Sequence, residues 1–157
     1  MNIYKVTLFG HREIYEHQKI EKKLYPILRD LIRTKEYVEI LVGCNGEFDK
    51  FAASVVKRAQ KDFGAHNSEM TLVLPYHYKD AEYYEQYYDS IIIPDAVSGA
   101  HPKGAITARN RWMTEECDLF ICYVNRTSGG AHAALKYANK LGKIIINLSA
   151  DDDCEVD

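Results

Sequence analysis

The sequence predicts an α/β domain: a mostly parallel β-sheet with helices on both of its faces. Three observations carry this expectation. Short runs rich in branched apolar residues alternate with longer stretches whose apolar residues recur at three- and four-residue spacing. The alternation begins at Ile3 and continues to Leu148. Three of the passages from strand to helix carry glycine and polar residues, at Gly10-His11-Arg12, at Gly43 to Asp49 and at Ser128-Gly129-Gly130. In an open parallel sheet such passages gather outside the carboxyl ends of the strands, where ligands bind.

The elements follow in order. Ile3 to Phe9 reads as the first strand. Ile20, Leu24, Ile27, Leu28, Leu31 and Ile32 form a helix face, and Pro26 inside that run predicts a kink or a new start. Val38 to Val42 is the second strand, followed by a cleaner stripe through Phe48, Phe51, Ala52, Val55, Val56, Ala59 and Phe63. Met70 to Leu74 is a short buried strand ended by Pro75. Between Tyr76 and Tyr88 lie six tyrosines, and Asp80 is placed to cap a short helix running through Asp89. That helix would set Tyr83, Tyr84, Tyr87 and Tyr88 along one aromatic edge, suited to packing, to stacking against a base, or to self-association. Ile91 to Gly104, with two prolines and two glycines, reads as a loop able to close over the site. Ala105 to Met113 is helical, the run from Leu119 is a strand that stops at Asn125, Ala131 to Leu141 is helical, and Lys143 to Leu148 is the last of about five strands. The domain spans 1–148, and 149–157 is an acidic tail whose Asp151-Asp152-Asp153 run is expected to be solvated and frayed.

A chain of 157 residues is one domain of ordinary size. Its apolar runs fall well short of the ~18 residues needed to span a bilayer, and its first residues lack a secretory pattern, so a cytoplasmic location is expected. The net charge of −3 disfavours a broad nucleic-acid surface. The four cysteines show neither Cys-x-x-Cys nor zinc-site spacing, and the six histidines show no His-x-x-x-His. No tightly bound metal is expected, leaving only a loosely held Mg²⁺ beside a phosphate. Cys44, next to the second glycine loop, suits either a small turn position or a reactive thiol.

The candidate site residues lie on the three glycine passages. Gly129 and Gly130 allow unpaired N–H groups at a helix start to approach a phosphate, at the positive end of the helix dipole. Asn125 and Ser128 are placed to hydrogen-bond phosphate or ribose, or simply to form the turn. His11 and Arg12, leaving the first strand after Gly10, suit a phosphate or an adenine, with a surface salt bridge as the alternative for Arg12. Gly43, Asn45 and Gly46 open the second passage, and Glu47 and Asp49 fall in the first helical turn, where the dipole favours carboxylates. Glu47 also suits a ribose hydroxyl, or a nucleophile or base at an anomeric carbon. Arg109 and Arg111 stand at i and i+2, on different helix sides. Arg109 is assigned to the pocket as a bidentate phosphate ligand, against an ion pair with Glu115, Glu116 or Asp118. Trp112 reads as core.

Taken together, Val6-Thr-Leu-Phe-Gly-His-Arg12, Gly43-x-x-Gly-Glu-Phe-Asp49, Arg109-Asn-Arg-Trp-Met113, Ser128-Gly-Gly130 and Gly142-Lys-Ile-Ile-Ile-Asn147 resemble the motifs of the SLOG superfamily of Rossmann-like proteins, within the YpsA-like branch. The resemblance covers Met1 to Leu148. It implies a single Rossmann-like domain and a nucleotide-derived ligand resembling NAD or ADP-ribose. Relatives in the superfamily include DprA-type single-strand DNA-binding proteins and the LOG phosphoribohydrolases. Arg109 matches the catalytic arginine of the LOG enzymes, but Lys136 stands where their catalytic glutamate would be, and His132-Ala133 replaces their second Gly-Thr. This departure argues against LOG-type hydrolysis. The expected function is a binding or sensor module for a nucleotide-derived ligand. The alternative is a nucleotide or NAD N-glycosidase with Glu47 as the displaced carboxylate, and DprA-like DNA binding ranks third. The tyrosine edge and the oligomers common among relatives suggest a homo-oligomer.

Overall fold

In the computed structural model, which describes residues 1–97 and 99–150, strands and helices alternate along the chain. They are β1 (Ile3–Gly10), α1 (His17–Thr34), β2 (Tyr37–Val42), α2 (Glu47–Phe63), β3 (Ser68–Val73), α3 (Ala81–Glu85), β4 (Ser90–Ile92), α4 (Pro102–Glu116), β5 (Leu119–Tyr123), α5 (Gly130–Lys140) and β6 (Ile144–Asn147). The strands form one sheet in the order β4-β3-β2-β1-β5-β6. Every pairing is parallel, from Val6 against Leu119 and Ile40 to Thr71 against Ser90. The chain winds outward from β1 to β4, then returns to lay β5 on the other side of β1. The loops after β1 and β5 therefore leave the sheet in opposite directions and open a crevice between them.

The pleat sends alternate residues to the two faces. Val6, Leu8, Ile40, Val42, Met70, Leu72 and Ile121 pack under α1 and α2, whose stripes supply Ile20, Leu24, Leu28, Phe48, Ala52 and Val56. On the other face Phe9, Leu41, Val73, Phe120 and Cys122 meet α4 and α5 through Met113, Ala131, Ala134 and Ala138. The Phe9 and Phe120 rings stack there at 5.2 Å. The alanines on α5 let that helix lie close to the sheet, which fixes where its N-terminus points.

Several elements differ from the sequence expectations. The sheet is wholly parallel and has six strands among the described residues, because Ser90–Ile92 pairs with β3 inside what reads as a loop. Asp89 explains it: its carboxylate accepts from the Met70 N–H at 2.7 Å and from Gln60 Nε2 at 3.1 Å, which stops the tyrosine helix and starts β4. Accordingly α3 ends at Glu85, and Asp80 occupies its N-cap position without a side-chain capping bond. The four tyrosines touch in a chain and line one hollow, with Tyr83 77 % exposed and Tyr88 buried in the core. The helix α1 runs through Pro26 without a new start. The start of α4 claims the end of the expected lid loop, with Pro102 in its first turn and His101 Nδ1 accepting from the Lys103 N–H. Ser149 and Ala150 are tied back to Val124 and Asn147, while the Asp151-Asp152-Asp153 run lies outside the described residues. No described helix is long and apolar enough to cross a membrane.

Candidate functional site

The crevice between β1 and β5 holds a cavity of about 440 Å³. Its walls come from all three glycine passages and from α4. Gly10, His11 and Arg12 follow β1, Gly43, Asn45, Gly46 and Asp49 follow β2, Ser128, Gly129 and Gly130 precede α5, and Arg109 reaches in from α4. Leu8, Phe9, Ile106, Met113 and Ala131 give it an apolar side.

Two glycines show why that residue is needed here. A Cβ on Gly10 would lie 2.1 Å from Cγ of Phe48, so the first strand can end over α2 only without a side chain. Gly129 has φ +96°, a conformation that L side chains rarely adopt, and it turns the chain so that α5 starts facing the cavity. The first N–H groups of a helix have no intrahelical partners, and Gly129, Gly130 and Ala131 at the start of α5 line the cavity.

Arg109 is the central side chain. It is only 3 % exposed. Its Nη1 donates to the Val73 carbonyl at 3.0 Å, its Nη2 to Asn45 Oδ1 at 3.1 Å, and its Nε to Asn110 Oδ1 at 2.9 Å. One guanidinium thus joins α4, the end of β3 and the loop after β2. Asn45 in turn donates its N–H to Asp49 Oδ2 at 3.0 Å and its Nδ2 to the Tyr78 hydroxyl at 3.4 Å. Burial lowers the Arg109 pKa from its ordinary value, and the field of Asp49 opposes that shift. Burial likewise raises the Asp49 pKa, against the Asn45 N–H and Arg109, which favour its charged form. Burial also pushes the Cys44 thiol up, with Arg109 opposing, which disfavours the thiolate a nucleophile requires.

His11 is 6 % exposed and lines the same cavity. Its Nε2 accepts from the Asn125 N–H at 3.0 Å, so in the neutral ring the proton sits on Nδ1. Burial first, then the charges of Arg126 and His132, lower its pKa.

Of the residues chosen from the sequence, Gly10, His11, Arg12, Gly43, Asn45, Gly46, Asp49, Arg109, Ser128, Gly129 and Gly130 line this cavity. Glu47 and Asn125 do not. Glu47 is exposed in the first turn of α2, with Oε2 accepting from the Ile14 N–H at 3.4 Å. Asn125 lies in a neighbouring hollow. Arg111 stacks its guanidinium over Tyr137 on another side of α4, at 5.2 Å. Arg126 was missed in the sequence; it lines the cavity and donates from Nη2 to the Glu13 carbonyl at 3.1 Å. A basic residue two positions before Ser128 in the strand-exit loop was the available signal. Among the described residues no group of three or more His, Cys, Asp or Glu is arranged to hold a metal ion.

No protein-family model matches the chain, and no curated protein matches it in sequence. Solved structures do match. DNA processing protein A (DprA) from Streptococcus pneumoniae aligns with TM-score 0.66 and 16 % identity, over 91 % of this chain and 49 % of its own. DprA from Helicobacter pylori, described for its single-stranded DNA binding mode, aligns with TM-score 0.60 and 18 % identity, over 90 % of this chain and 63 % of its own. The molybdenum cofactor carrier protein from Chlamydomonas reinhardtii gives TM-score 0.59 and 14 % identity, over 98 % of this chain and 81 % of its own. The chain thus spans about half to two-thirds of the DprA proteins. At these identities the likeness is one of fold alone, a Rossmann-like α/β domain.

Proposed function

We propose that the cavity binds the phosphate end of a nucleotide-derived ligand, of the NAD or ADP-ribose kind, and that the domain works as a binding or sensor module. Arg109 carries this reading. Its buried guanidinium lines the cavity, and none of the described carboxylates lies at ion-pair distance from it. Three neutral oxygens take three of its five N–H groups, which leaves donors, and the field of Asp49 acts on its charge only from beyond ion-pair distance. Holding such a cation out of water costs several kcal/mol, and a bound anion offsets that cost. Arg12, Arg126 and the start of α5 face the same space, and a helix start with glycine N–H groups suits a phosphate. The YpsA-like motif set supports an adenine nucleotide as its source.

A hydrolase is the weaker reading. Asp49 is the one carboxylate among the lining residues, and Glu47 would have to turn away from Ile14 to reach an anomeric carbon. Binding of NAD, ADP-ribose, AMP and ADP should be followed by calorimetry on the wild type and on Arg126→Ala, whose side chain is exposed. Tight binding that Arg126→Ala weakens, without release of base, supports the module. Base release abolished by Glu47→Gln would replace it with the N-glycosidase. The neighbouring DprA is named for single-stranded DNA, so a gel shift at low salt belongs in the same series, where phosphate contacts are strongest.

A further inference from the structure

A second hollow, of about 280 Å³, opens beside the cavity. Glu13, Tyr15, Glu16, Tyr123, Asn125 and Arg126 line it. The two spaces are adjacent: Arg126 belongs to both walls, and His11 on the first accepts from the Asn125 N–H of the second. Their chemistry is opposite. The cavity presents three arginines and a helix start, whereas the hollow presents two carboxylates that would repel a phosphate.

The side chains of the hollow are held for contact with something flat and polar. The Tyr15 ring is 79 % exposed, yet its hydroxyl is fixed by donation to Glu13 Oε2 at 2.8 Å. The Tyr123 hydroxyl donates to Glu16, which fixes that carboxylate as well. Arg126 is braced by the Glu13 carbonyl at 3.1 Å and stands at the boundary between the two spaces. Asn125 Oδ1 accepts no hydrogen bond from the described residues. An open aromatic face beside several fixed acceptors suits a base with an exocyclic amino group and a ribose with its hydroxyls.

We infer that this hollow is the nucleoside subsite of the ligand whose phosphate occupies the main cavity, with an amino-bearing base such as adenine lying against Tyr15. The inference rests on the phosphate reading of the cavity and adds the orientation of the ligand and the residues that meet its base. It is tested by isothermal titration calorimetry with AMP, inosine 5′-monophosphate and ribose 5-phosphate. The proteins are the wild type, Tyr15→Ala and Asn125→Ala; both side chains are removable without opening the core. Base stacking on an aromatic ring makes AMP bind the wild type about tenfold tighter than ribose 5-phosphate. Tyr15→Ala removes most of that difference and leaves ribose 5-phosphate unchanged. Inosine 5′-monophosphate, with an oxygen where adenine has its amino group, binds more weakly than AMP, and Asn125→Ala narrows that gap. The subsite is overturned, with the cavity still standing, if AMP and ribose 5-phosphate bind equally or if Tyr15→Ala leaves AMP affinity intact. If none of the three compounds binds the wild type, the phosphate reading falls and the subsite falls with it.

Discussion

Gly10 and Gly130 both line the cavity, and they are glycine for different reasons. A methyl group on Gly10 would sit 2.1 Å from the Phe48 ring, deep in the packed core. Gly10→Ala is expected to lose about 1–3 kcal/mol in chemical denaturation, the usual cost of forcing extra volume into a core. At Gly130 the nearest atom to an added Cβ is Asn110 Nδ2 at 3.8 Å. Gly130→Ala should change stability by less than about 0.5 kcal/mol while weakening phosphate binding, because the methyl group enters the ligand space. His11 adds a pH dependence whose sign follows from its environment. Its folded pKa lies below the ordinary 6.5, through burial first and then Arg126 and His132. The unfolded chain therefore takes up the proton first, so stability is full above pH 6.5 and declines as pH falls below it. Melting curves across that range should show the decline, and His11→Asn should flatten it. An anion in the cavity favours the protonated ring, so ligand affinity should strengthen over the same acid range. The sequence displayed these glycines and this histidine at strand exits. It could not show that Phe48 excludes a side chain at residue 10, since that contact is made only when α2 packs across the end of β1.

The helix α4 owes its place in the site to one side chain. Arg109 ties it to the Val73 carbonyl at the end of β3 and to Asn45 after β2. A lysine has a single nitrogen and cannot span these acceptors. Arg109→Lys should lose about 1–3 kcal/mol of stability, the range for hydrogen bonds to a charged group and for buried acceptors left unpaired, read from denaturant midpoints. The i, i+2 separation of Arg109 and Arg111 was legible as a division between two helix sides, and the structure has one buried at the cavity and the other stacked on Tyr137. The long stripes of α1 and α2 were equally legible, because each repeats its apolar spacing over many turns. The strand β4 was not. It has three residues, pairs along one edge only, and is set by the Asp89 carboxylate acting on β3, nineteen positions away from Met70 in sequence. Local pattern carries no trace of that bond. The same bond cuts the tyrosine helix short and sends Tyr88 into the core.

Across the molecule, the reversal of strand order between β1 and β5 brings together passages more than a hundred residues apart. Alternating strands and helices made the parallel sheet readable, and the glycine passages made its carboxyl edge readable as a site. What alternation alone could not give was the strand order, and hence which passages face one another. Which side chain of a passage turns into the crevice is not legible either: Arg126 lines the cavity, whereas Glu47 faces Ile14. An acidic chain of net charge −3 thus surrounds a concave site whose lining carries three arginines and one aspartate. The most direct check is thermal unfolding of the whole protein with NAD, ADP-ribose, AMP, ADP, ATP and cyclic nucleotides. A ligand at a hundred times its Kd adds about 2.7 kcal/mol, which raises the Tm of a domain this size by roughly 5–10 °C. A rise of that order with at least one adenine nucleotide, reduced in Arg126→Ala, is the expected result. A flat response across every compound would contradict the assignment of this cavity to a nucleotide-derived anion.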